Sequence, residues 1–122
     1  MKSPKQHRLL TGQQFRAVYN QGQKLNHPFF TAFILGTSGN SQRLGITVTR
    51  KIGGAVIRNR CKRRMREVFR LRDTSACAEF GFDLVLNVRL GVVSARFEEL
   101  VLALQQTLSR FSNQPKRGQS KL

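Results

Sequence analysis

The chain has 122 residues, 39% of them hydrophobic, with 22 Lys and Arg against 6 Asp and Glu and a formal net charge of +16. That length supports one compact domain with one core, whereas the charge exceeds what solubility needs and repels itself in the folded state, so a polyanionic partner is expected. Nucleic acid leads an acidic membrane surface, because neutralised phosphates release counterions. No run approaches the ~20 apolar residues that span a bilayer and no signal-like stretch follows the basic start, so the expected location is the cytoplasm.

In chain order, residues 1–8, with Lys2, Pro4, Lys5 and Arg8, read as a mobile basic tail, as do residues 112–122, leaving a core of about 9–111. Thr11 can cap a short helix in which Phe15, Val18 and Tyr19 recur at helical spacing and which Gly22 stops. Phe29 to Leu35 is aromatic and β-branched, a Gly-rich turn over residues 36–40 follows, and Arg43 to Thr49 makes a second run, so the two read as paired strands. In the second run Leu44, Ile46 and Val48 alternate with Gly45, Thr47 and Thr49, which predicts one buried face and one small, polar, open face.

After Gly53 and Gly54, the segment from about Val56 to Arg72 puts Ile57, Cys61, Met65, Val68 and Phe69 on one helical stripe. A loop over 74–81 leads to a strand from Phe82 to Val88. Ser94 then caps a last helix with Phe97, Leu100, Val101, Leu104 and Leu108 inward. The order helix, two or three strands, helix, strand, helix predicts a two-layer α+β domain with helices packed on one sheet.

The segment from Arg50 to Arg72 carries ten of the 22 basic residues and one acid. On a helix Asn59, Arg63, Arg66 and Arg70 follow at steps of three or four with Arg58 and Lys62 alongside, so like charges repel. A merely solvated face normally mixes both signs. Arg outnumbers Lys, which suits bidentate grips on phosphate and on base edges, and Asn59 between Arg58 and Arg60 adds an amide that both donates and accepts. Gly53 and Gly54 allow close approach of phosphate and leave helix N-terminal amides open to it.

Phe15, Tyr19, Phe29, Phe30 and Phe33 form a second group. Aromatics at such spacing are usually core, but Phe29 and Phe30 are consecutive on a strand, so one of them should face outward. Sharing a cleft with Phe15, Phe30 would offer unpaired bases a stacking platform. The acids offer neither a metal cluster nor a base beside a nucleophile, and His7 and His27 lack partners at useful spacing. No catalytic residue is assigned to the protein. Cys61 and Cys77 lack metal-ligand spacing and read as reduced, ordinary residues.

Arg58-Asn59-Arg60 followed by Lys62, Arg63 and Arg66, and preceded by Arg43-Leu44-Gly45-Ile46 and Gly53-Gly54-Ala55-Val56, resembles the signature of the bacterial ribonuclease P protein family. The likeness extends to Arg8-Leu9, Phe15, Val18 and Gly22 upstream and Arg89 downstream; Val88, where the family often has Ala, and the extra Arg64 depart from it. The resemblance implies the order α-β-β-β-α-β-α, about four strands in a mixed sheet, three helices and a left-handed β-α-β crossover. It implies contact with the catalytic RNA by Arg58, Asn59, Arg60, Lys62, Arg63 and Arg66, to which the basic segment adds Arg50, Lys51 and Arg70, and a cleft for the 5′ leader of precursor tRNA at Phe15, Tyr19, Phe30 and Phe33, with Arg89 placed beside it. It further implies one protein per catalytic RNA and a divalent ion such as magnesium held mainly by RNA, with none bound tightly by the protein. The residues alone leave two rivals: an RNA-binding module of ribosomal-protein or chaperone type, and a protein-only nuclease, which the missing acid cluster disfavours. A DNA-binding role is weaker still, for want of helix-turn-helix or zinc spacing.

Overall fold

Residues 11–37, 41–72 and 81–113 are described by the structure, a computed structural model. Both ends of the chain, including His7 and most of the two proposed tails, lie outside them, as do the end of the Gly-rich turn and most of the 74–81 loop with Cys77.

Thr11 starts helix α1 (Gly12–Gln21) with a capping box: its hydroxyl accepts from the Gln14 N–H at 3.1 Å and the Gln14 side chain accepts from the Thr11 N–H at 3.2 Å. Gly22 ends the helix with its N–H on the Val18 carbonyl, and a Cβ there would lie 2.5 Å from that oxygen and 3.0 Å from the Ile34 oxygen. The absent side chain lets the end of α1 sit directly on the sheet. Strands β1 (Gln23–Asn26), β2 (Phe30–Thr37), β3 (Gln42–Thr47) and β4 (Gly81–Val88), with helices α2 (Ala55–Arg70) and α3 (Phe97–Asn113), complete the order α-β-β-β-α-β-α. A short 3₁₀ turn, Leu90–Val93, precedes α3.

The sheet order is β1-β2-β4-β3, with β3 and β4 parallel and the other pairs antiparallel. The expected direct pairing of the second and third strands is therefore corrected, because β4 lies between them. In β4 every residue but Asn87 is buried, and a strand apolar on both faces belongs where both edges are paired and both faces covered. The parallel β3–β4 pair requires a crossover, which the α2 segment supplies.

Strand alternation divides the core. Phe30, Ala32, Ile34, Leu44, Phe82, Leu84, Leu86 and Val88 face α2 and α3 in the larger cluster, which Cys61, Met65, Val68 and Phe69 of α2 and Leu100, Leu104 and Leu108 of α3 complete. Val85 faces the other way and is buried against Val18 of α1. Two expectations need correction. Ile57, 40% exposed, is the one residue of the predicted α2 stripe that is not buried, because it lies in the first turn. Ser94 does not cap α3, which begins three residues later; it closes the 3₁₀ turn with its N–H on Gly91. Glu99 instead accepts the Arg96 N–H at 2.9 Å.

Candidate nucleic-acid interface

On the α1 side the sheet registers set side chains in three rows. Asn26, Thr31, Asn87 and Thr47 form one; Lys24, Phe33, Val85 and Gly45 the next; Leu35, Asp83 and Arg43 the third. Helix α1 covers the middle of this face with Val18, leaving Phe15, Tyr19, Phe33 and Leu35 only partly buried around it. The Tyr19 ring meets Phe33 edge-on with centroids 4.9 Å apart, and Phe15 at 6.5 Å. Lys24 Nζ lies 6.0 Å from the Phe33 centroid, within cation–π range.

Polar groups surround these rings. The Tyr19 hydroxyl donates to Asn87 Oδ1 at 2.9 Å and the Thr47 hydroxyl to the same oxygen at 2.6 Å. Arg89 is exposed at the end of β4 and donates through Nη2 to the Thr31 hydroxyl at 2.9 Å. At the other end Arg43 grips the buried Asp83 carboxylate through Nε at 2.9 Å and Nη2 at 2.8 Å. That bidentate pair neutralises the acid, so the face offers phosphate no unpaired negative charge among the groups in these rows.

Phe15, Tyr19, Phe33 and Arg89 therefore share one face, and Phe30 does not. It is fully buried on the opposite side, because odd and even positions of a strand point opposite ways. Phe30 is removed from the proposed cleft. Phe29 packs at the edge of the same large cluster, so Phe33 is the strand aromatic that meets α1.

The second surface is α2. Its apolar stripe faces the core, and Asn59, Arg60, Arg63 and Arg70 are exposed, with Arg58, Lys62 and Arg66 half-buried beside them. Arg50 and Lys51 are exposed in the turn before it, where the Ile52 and Gly53 N–H groups donate to Thr49 and Arg50 carbonyls. Gly54 caps α2 and has no side chain to bond the helix's first-turn amides. The Arg58 Nε is buried without a hydrogen-bond partner among the described residues. Arg70 pairs with Glu67, which holds that carboxyl below its usual range.

Sequence reasoning missed three residues. Arg64 is no extra surface charge: its guanidinium donates to the carbonyls of Val92 at 2.8 Å and Ala95 at 2.5 Å, tying α2 to the turn before α3. Its place three residues after Cys61 and four before Val68 was the available signal. Arg72 lies 3.8 Å from the Phe69 centroid and donates to Gln42 Oε1, fixing the end of α2 to β3. Asn87 interrupts an apolar run and so could have been suspected of facing a ligand.

His27 is a turn residue. Its Nδ1 accepts the Phe29 N–H at 3.1 Å, its ring stacks on Phe30, and burial first, then the nearby Arg110 charge, lowers its pKa. Burial raises that of the Cys61 thiol, which suits a core residue and not a nucleophile. Among the described residues no group of three His, Cys, Asp or Glu side chains is placed to hold a metal ion.

Comparison with known proteins gives a consistent result. The family model described as Ribonuclease P matches residues 3–112. The ribonuclease P protein component of Gluconacetobacter diazotrophicus is 38% identical over 105 residues, 85% of this chain and 90% of that one. That of Clostridium kluyveri is 36% identical over 83 residues, covering 68% and 74%. The solved ribonuclease P protein of Thermotoga maritima superposes with a TM-score of 0.73 at 31% identity, covering 84% of this chain and 96% of that one. The Staphylococcus aureus protein, at 24% identity and a TM-score of 0.71 over 86% and 94%, shares the fold. With its signature residues on one helix, its three-helix, four-strand architecture and these matches, the chain belongs to the ribonuclease P protein family.

Proposed function

We propose that this chain acts as the protein component of ribonuclease P by dividing two tasks between two surfaces, α2 docking on the catalytic RNA and the α1 face receiving the single-stranded 5′ leader of precursor tRNA. The observation that carries this reading is the meeting of Phe15, Tyr19 and Phe33 on a sheet face edged by Lys24 and Arg89. Rings at the rim stack on bases of any sequence while the flanking cations follow the phosphates. Arg58, Asn59, Arg60, Lys62, Arg63 and Arg66, with Arg50 and Lys51, hold the RNA through phosphate and base-edge contacts. Arg70 contributes only by exchanging its Glu67 partner for phosphate.

The protein's part in removing the leader is positioning and charge. Of its described acids Asp83 is paired with Arg43 and Glu67 with Arg70, and no group of three described His, Cys, Asp or Glu side chains is placed to hold a divalent ion, so the ion is assigned to the RNA phosphates. One protein per catalytic RNA and a cytoplasmic site of action complete the reading. No described helix is long and apolar enough to cross a membrane.

The test is leader-dependent affinity. Phe15→Ala should cost ~1–3 kcal/mol in binding of a precursor tRNA with its leader and leave binding of the leaderless tRNA unchanged. Equal losses on both substrates would contradict a stacking role.

A further inference from the structure

We propose that Asn87 is a specificity-determining residue that reads the edge of one leader base, favouring the keto bases guanine and uracil over the amino bases adenine and cytosine. This rests on the α1 face receiving the leader and names what that face recognises.

Asn87 occupies the central strand in a row otherwise made of Asn26, Thr31 and Thr47, beside the row that holds Phe33. Its amide oxygen accepts two hydrogen bonds, from Tyr19 at 2.9 Å and Thr47 at 2.6 Å. Those two donors fill the oxygen's two lone pairs. The amide nitrogen keeps both N–H groups without a partner among the described residues, in a residue the chain leaves partly open. Because Asn87 is the one residue of β4 that is partly open, a ligand can take the place of water on that nitrogen.

The rings supply the ligand. The same Tyr19 whose hydroxyl bonds Asn87 presents its ring beside Phe33 and Phe15. A base lying against that ring brings its edge toward the atoms bonded to the ring's own hydroxyl. Guanine O6 and uracil O4 accept there, whereas adenine N6 and cytosine N4 carry hydrogens and meet donor with donor. An asparagine with a free oxygen could pair with adenine by donating and accepting together, but here the oxygen is taken. Tyr19 and Thr47 are then positioning residues as well as wall: their hydroxyls turn the amide so that it offers nitrogen alone. The Arg43–Asp83 pair two rungs away is internally satisfied and contributes no comparable open donor.

The experiment uses the holoenzyme reconstituted with its catalytic RNA and a set of precursor tRNAs in which each leader position carries each of the four bases, measured in competition as relative kcat/KM. The wild type should show one position where G and U exceed A and C by roughly five-fold, the worth of one neutral hydrogen bond. Asn87→Val should make the four bases equivalent there, Asn87→Asp, which can only accept, should turn the preference toward A and C, and Tyr19→Phe should weaken it by freeing the amide to rotate. A merely structural Asn87 would alter the melting temperature and leave base discrimination where it was. Discrimination that survives Asn87→Val, or a wild type with no position separating keto from amino bases, overturns the proposal. Failure of the underlying reading looks different: the wild-type holoenzyme would then bind precursor tRNA no more tightly than the leaderless tRNA.

Discussion

Arg63 and Arg64 are neighbours in α2, and their surroundings divide their tasks. Arg63 is exposed on the basic face, while Arg64 lies on the core side of the helix and donates to the carbonyls of Val92 and Ala95. Arg64→Met should lower stability by about 2–3 kcal/mol in a urea titration, because it strands carbonyls of two buried residues that a charged donor had satisfied. Arg63→Ala should stay within about 0.5 kcal/mol of wild type yet weaken RNA binding. Equal midpoints for the two variants would contradict this division. The count of basic residues was plain from the sequence, but which of them point outward depends on helical angle relative to Cys61, Met65 and Val68. Phe30 follows the same rule in β2, where a shift of one residue carries a ring from the cleft to the core.

At the scale of elements, the turn between β1 and β2 is pinned by His27, whose Nδ1 must be unprotonated to accept the Phe29 N–H. Burial and Arg110 lower its pKa in the folded chain, so the unfolded chain binds the proton more readily. Stability from this group is then complete above the ordinary histidine pKa of ~6.5 and declines as pH falls from there toward the lowered folded value. Denaturation midpoints between pH 7 and pH 5 should fall more for wild type than for His27→Gln; parallel profiles would contradict it. The helices α1, α2 and α3 and strand β4 were legible because periodicity is local, and the Thr11 cap also placed the start of α1, whereas the Ser94 cap expected for α3 did not hold. The pairing of strands was not: a Gly-rich turn between β2 and β3 suggests a hairpin, and only the apolar continuity of β4, read against its need for cover on both faces, places it between them. The three rows of the α1 face follow from that order, so Thr47 and Asn87 could not be joined before it was known.

The whole molecule carries +16, with only two ion pairs among the described residues, both drawing on Arg. Most of this charge is therefore available to a polyanion, and binding to the catalytic RNA should weaken steeply with salt. Lys62→Ala should reduce the slope of log affinity against log salt by roughly one unit, and an unchanged slope would argue against a phosphate contact there. The family could be recognised from the spacing of Arg58, Asn59, Arg60, Lys62, Arg63 and Arg66, since RNA-facing residues on one helix leave a linear signature. The cleft could be recognised only in part, since its members come from α1, β2, β3 and β4.

The most direct test is multiple-turnover cleavage of a precursor tRNA with a 5′ leader at low magnesium, comparing the protein alone, its catalytic RNA alone, and both together. Cleavage only with both, or much faster with both, is the expected result, since the protein supplies position and charge and the RNA the reacting centre. Cleavage by the protein alone would contradict that division, as would an RNA whose rate the protein leaves unchanged.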